Sequence, residues 1–154
     1  MRQNGFYNAS FKWTGSVTNY LSAMFHAKLS ELRRVSAFLE GFCGAAGIGR
    51  QHCLRLNLVM EELFINTIRH GHQGDCDAPV WMTLDASDKT VQVTYEDTAP
   101  PFNPYGRLPA AGADKADEMR DIGGLGLLLT KELAATRDYA YVFGRNRIRL
   151  ALKR

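Results

Sequence analysis

Apolar residues at Leu29, Leu32, Val35, Leu39 and Phe42 recur at spacings of three and four, the period of one helix face. The pattern predicts a helix that ends within 41–47, where Gly41, Gly44 and Gly47 cluster. A second helical period begins at 48–50 and runs through Leu54, Leu58 and Leu63 to Ile68, with apolar residues around most of its circumference. Gly71 and Gly74 stop it. Ahead of the first helix, the apolar and aromatic run at 19–26 reads as a strand. Beyond the second, 80–84 and 91–95 read as two strands joined by Asp85-Ala86-Ser87-Asp88-Lys89, which predicts an antiparallel hairpin. A helix over 125–135 and strands at 139–143 and 146–152, turning at Gly144-Arg145, close the chain.

Two segments lack either period. Residues 1–17 mix Phe6, Tyr7, Phe11 and Trp13 with polar types and are expected to form an arm or short strand ahead of a domain at 18–154. Residues 98–122 hold Pro100, Pro101, Pro104 and Pro109 with Gly106 and Gly112. Aperiodic stretches longer than about 12–15 residues are usually lids or binding loops. The order of elements contains no alternating βαβ units, so the expected fold is α+β: a two-layer sandwich of a mixed, mainly antiparallel sheet with helices on one face.

Composition narrows the function. The 154 residues suit one domain, and 45% hydrophobic with 23% charged residues is an ordinary globular balance. Lys and Arg number 19 against 16 Asp and Glu, a formal charge of +3, too weak a field to favour nucleic acid. No apolar run approaches the roughly 18 residues of a membrane span, and the start lacks the order of a signal peptide, so a cytoplasmic protein without membrane partners is expected. Cys43, Cys53 and Cys76 form no CxxC pair and are expected to be reduced, mostly buried thiols.

The candidate chemistry lies in three segments. Glu62 and Asn66 are four apart on the second helix and share a face that interrupts its apolar surface. An ion pair of Glu62 with Arg55 or Arg69 would explain them equally well. Asp97 ends a strand just before the prolines, where a carboxylate can accept from an exocyclic amine or form an Asx turn. Gly123, Gly124 and Gly126 precede a helix, where backbone can approach phosphates closely or simply cap the helix.

In order and spacing these segments resemble the GHKL ATPases. The run Glu62-Leu63-Phe64-Ile65-Asn66-Thr67-Ile68-Arg69-His70-Gly71 looks like the N box, 97–104 like the first glycine box and 123–127 like the second. The Pro101-Phe102-Asn103-Pro104 run and the closing 139–150 stretch, with its Gly-Arg-Asn turn, are similar to the anti-sigma factor serine/threonine kinase branch. The resemblance spans roughly 19–153 and implies the histidine kinase-like ATPase (Bergerat) fold, with ATP and magnesium as cofactors. By this resemblance Glu62 would be the general base, Asn66 would hold Mg, Asp97 would bind the adenine amino group, and Gly123, Gly124 and Gly126 would shape a lid over the phosphates. His70 would lie near the site, or answer only to the helix dipole. Ala99 takes the place of the family's glycine, where a methyl would crowd adenine or disfavour a positive φ.

The implied activity is an ATP-dependent protein serine/threonine kinase in partner switching that phosphorylates a STAS-type anti-anti-sigma protein, with a sigma factor as a second partner and room for a homodimer. The alternative is a non-catalytic, nucleotide-sensing module, which Ala99 favours. Arg145, Arg147 and Arg149 alternate along the last strand and are expected to form a solvated face, their stems stacked on Tyr139 or Tyr141.

Overall fold

The structure is a computed structural model and describes residues 19–105, 130, 132 and 134–154. Along the chain follow β1 (Tyr20–His26), a 3-10 turn (Leu29–Glu31), α1 (Leu32–Ala45), α2 (Arg50–Asn66) and a π-helical turn (Thr67–Gly71) that prolongs α2. Next come β2 (Pro79–Ala86), β3 (Thr90–Asp97), β4 (Ala134–Val142) and β5 (Arg145–Lys153). The five described strands form one sheet in the order β1-β2-β3-β5-β4, and every pairing is antiparallel. This is the expected α+β architecture.

Period-two alternation decides which side of the sheet is covered. Val80, Met82 and Leu84 of β2, Val91, Val93 and Tyr95 of β3, and Ile148, Leu150 and Leu152 of β5 are buried. Against them α1 packs Val35, Leu39 and Phe42, and α2 packs Leu56, Val59, Met60, Leu63 and Phe64. Phe25 of β1 joins the layers by edge-to-face contacts with Phe38 and Phe64, centroids 5.6 and 6.4 Å apart. Between the helices, Gly47 at φ 63° lets the Ile48 N–H return to the Cys43 carbonyl at 2.8 Å and so end α1.

Several boundaries differ from expectation. α2 buries one face only: Leu54 and Leu58 are exposed. β4 begins at Ala134, within the segment expected to be helical, because pairing with β5 from Val142↔Arg145 back to Ala134↔Leu152 outweighs the helix propensity of Ala134 and Ala135. The hairpin turns at Phe143-Gly144 rather than Gly144-Arg145. Both carry positive φ, 52° and 74°, as a two-residue turn matched to strand twist requires.

The arginine stems do not stack on Tyr139 or Tyr141. Those tyrosines pair with Ile148 and Asn146 and so share their face of the sheet. On the opposite face Arg145 lies over the Trp81 ring, 3.7 Å from its centroid, and Arg147 pairs with Glu96 at 2.9 Å. All three cysteines are free thiols, Cys43 buried and the others half-buried. Among the described residues no helix is long and apolar enough to cross a membrane. The arm at 1–17 and most of the 98–122 loop and the 125–135 helix lie outside the described residues.

Candidate functional site

The alternation that turns Val91, Val93 and Tyr95 inward also turns Asp97 inward, at the last position of β3 and beside the end of α2. There α2 loosens into the π turn, with the His72 N–H bonded to the Thr67 carbonyl at 2.9 Å, five residues back. Such turns often mark functional sites. Between this turn, the end of β3, the 99–104 segment and β5 opens a cleft of about 360 Å³. Leu63, Ile148 and the prolines form its apolar walls; Asn66, Asp97 and Asn146 are among its polar groups.

Asp97 is 5% exposed and well supplied with donors. Its Oδ1 accepts from the Ala99 N–H at 2.9 Å and from Asn146 Nδ2 at 2.8 Å, and its Oδ2 accepts from Thr67 Oγ1 at 2.9 Å. Since the Thr67 hydroxyl spends its one proton on Asp97, the 2.7 Å contact between Thr67 and Tyr95 must be donated by Tyr95. Burial first, and the Asp97 charge second, push the Tyr95 phenol well above its ordinary value, so it remains a donor. The relay therefore runs Tyr95 to Thr67 to Asp97. A carboxylate offers about four acceptor positions. Among the described residues three are filled, and one, on Oδ2, has no donor, in a residue that lines the cleft.

The Ala99 contact is an Asx turn, so both readings of Asp97, turn former and cleft residue, hold together. The expected conflict at Ala99 does not arise in the backbone. Among described non-glycine residues only Gln73 and Phe143 have positive φ. Its methyl is 2% exposed and packs toward Gly71 while lining the cleft.

Asn66 lines the cleft; Glu62, one turn earlier on α2, does not. Burial raises the Glu62 carboxyl above its ordinary range, while Asn66, Arg69 and His70 pull it partly back. Among the described residues Glu62 has no ion pair with Arg55 or Arg69. His70 lies on the cleft wall and is exposed. Gly123, Gly124 and Gly126 lie outside the described residues. The structure thus gathers Asn66, Asp97 and Ala99 about one cleft, with Glu62 one turn back along α2 and outside its lining.

Three residues of the site were not singled out from sequence. Thr67 and Tyr95 form the relay, and Asn146, 3% exposed, contacts Asp97 and the loop after it. A signal existed for two of them. Tyr95 and Asn146 occupy inward positions of strands whose other inward residues, Asp97 apart, are aliphatic, and buried polar groups there need partners.

Residues 25–152 match the family model of the histidine kinase-like ATPase domain. No curated protein shows a significant match to the chain.

Proposed function

Starting from a chain that belongs to the histidine kinase-like ATPase domain family, an ATP-binding module of the GHKL type, we propose that the cleft beside Asp97 holds ATP and that the protein is a serine/threonine kinase of the partner-switching kind. The observation that carries the nucleotide reading is the one acceptor position on buried Asp97 that no described residue fills. The amino group of adenine supplies a donor there. Guanine would turn a carbonyl oxygen toward the carboxylate, and a buried acceptor facing an acceptor is disfavoured. The apolar walls suit a base, and about 360 Å³ falls in the size range of small-molecule sites, about 300–1,000 Å³.

Asn66 fits a magnesium site of the phosphate-bound kind. Among the described residues no group of three His, Cys, Asp or Glu side chains could hold a metal by itself. A magnesium ion that keeps its waters and takes most of its other oxygens from the phosphates would need few protein ligands, and the Asn66 amide oxygen would be one of them. Bound ATP and magnesium supply the transferable phosphoryl group and neutralise its charge. Glu62, one turn from Asn66 and raised by partial burial, would accept the proton of a Ser or Thr hydroxyl on a STAS-type anti-anti-sigma partner, with a sigma factor as the second partner.

A second reading has its own observation. Glu62 does not line the cleft, which suits a non-catalytic module whose nucleotide only selects the partner. Calorimetric titration with ATP and magnesium tests the binding, and phosphotransfer to a STAS protein separates the two readings. Binding without transfer favours the sensor. No binding at millimolar ATP removes both.

A further inference from the structure

Asn146 belongs to β5, yet its amide spends its hydrogen bonds on the segment that follows β3. Its Nδ2 donates to Asp97 Oδ1 at 2.8 Å, to the Ala99 carbonyl at 3.0 Å and, at a longer 3.2 Å, to the Pro100 carbonyl. Its Oδ1 accepts from the Phe102 N–H at 3.0 Å and from the Tyr139 hydroxyl at 2.8 Å. The Phe102 N–H can only donate, which fixes the orientation of the amide: the oxygen faces Phe102 and the nitrogen faces Asp97. Both amide hydrogens and both oxygen lone pairs are used, in a residue 3% exposed. One side chain thus sets the direction of the Asp97 carboxylate and the path of 99–102 along the cleft. Among the described residues it is the one donor to Asp97 that comes from the sheet; Thr67 belongs to the π turn and the Ala99 N–H to the loop itself.

We propose that Asn146 is the positioning residue for base selection: by holding Asp97 Oδ1 it leaves the open position on Oδ2 aimed at the cleft, and so makes the site discriminate an aminopurine from an oxopurine. The proposal rests on the nucleotide reading and adds a residue and a selectivity to it. Without Asn146, Asp97 keeps two of its donors but can rotate. A ligand amine then loses a directed acceptor, whereas a ligand lacking that amine has nothing to lose.

The test compares ATP with inosine triphosphate, which carries an oxo group where ATP carries the amine. Each is titrated with magnesium into wild type, Asn146→Ala, Tyr139→Phe and Asn146→Asp. Wild type is expected to prefer ATP by roughly 10- to 100-fold, the value of one hydrogen bond to a charged group. Asn146→Ala should bring that ratio close to one by weakening ATP, with inosine triphosphate changed by less than about threefold. Tyr139→Phe, which removes one of the two donors to Asn146 Oδ1, should lower the ratio by a smaller factor and keeps the test alive if Asn146→Ala does not fold. Asn146→Asp sets a second carboxyl against Asp97 Oδ1, so its ATP preference should return as pH falls and one proton is shared between the pair. A purely structural role predicts parallel loss of both nucleotides and no such pH dependence. Parallel loss, or an unchanged ratio in folded Asn146→Ala or in Tyr139→Phe, overturns the proposal while leaving ATP binding established. Binding of neither nucleotide by wild type overturns the nucleotide reading and this inference together.

Discussion

Ala99 stands where a side chain on Gly71 would have to go: a Cβ built on Gly71 would lie 2.6 Å from the Ala99 Cβ, closer than two carbons can pack. Neither position needs glycine for its backbone, since neither has positive φ. The two therefore form a matched pair across the cleft wall, one methyl shared between the π turn and the loop after β3.

From that contact, Gly71→Ala should destabilise the protein by about 1–3 kcal/mol through overpacking. Ala99→Gly in the same chain should recover most of the loss, because the two sites share one volume. Urea unfolding of the two single variants and the double variant measures the coupling. Additive effects would show that the pair does not interact.

Asp97→Asn should lower ATP affinity by roughly 100-fold, because the position left on Oδ2 for the ligand becomes an N–H that faces the ligand's own donor. Folding should stay within about 1 kcal/mol of wild type, since the amide oxygen can still accept from the Ala99 N–H and Asn146. The Thr67 hydroxyl can turn its proton toward Tyr95, which in turn reaches the Leu63 carbonyl at 3.3 Å. Calorimetry and thermal unfolding on the same sample separate the two effects.

Thr67→Val keeps the shape of the side chain but removes the middle of the relay. Asp97 Oδ2 then loses its protein donor and Tyr95 keeps only the long contact to Leu63. The expected cost is about 1–3 kcal/mol of stability. Tyr95→Phe should cost less, because Thr67 would still donate to Asp97. Equal losses in the two variants would argue against a directed relay.

Glu62→Gln should reduce phosphotransfer by about 10²–10⁴-fold and leave ATP affinity intact. In wild type the rate should rise with pH, with its acid limb centred above the ordinary glutamate value of 4.5 because burial raises this carboxyl. Stability has the opposite sign. A folded-state value above the unfolded one favours the protonated form, so its stabilisation is complete below the ordinary value and is lost as pH rises through the raised one. Glu62→Gln should therefore unfold at a higher temperature than wild type at pH 7, and the gap should close below about pH 4.5. Denaturation at both pH values, set beside the rate profile, tests the pair of signs.

Periodicity located both long helices and the inner strands because each buries one regular face. It failed where pairing partners decide the outcome. Ala134 and Ala135 are good helix formers held in β4 by its pairing with eight residues of β5, and the turn moved to Phe143 because strand twist demands positive φ at both central positions. Asn66, Asp97 and Ala99 were legible as a site because the motif places them in order. Asn146 was not, since its role depends on β5 lying beside β3 and reaching across to the next loop, a juxtaposition that no local spacing encodes. Trp81 likewise meets Arg145 only because the sheet order brings β2 and β5 to either side of β3.

The π turn at Thr67–Gly71 amounts to one residue inserted into an otherwise regular helix. Removing any one residue from it would restore the α period and carry everything beyond round by about 100° and back by about 1.5 Å. Gly71 would leave Ala99 and the cleft wall would open, although every residue named in the site was still present. What must be kept through descent is therefore the length of this segment as much as its letters, and a relative one residue shorter here should be read as having a different site.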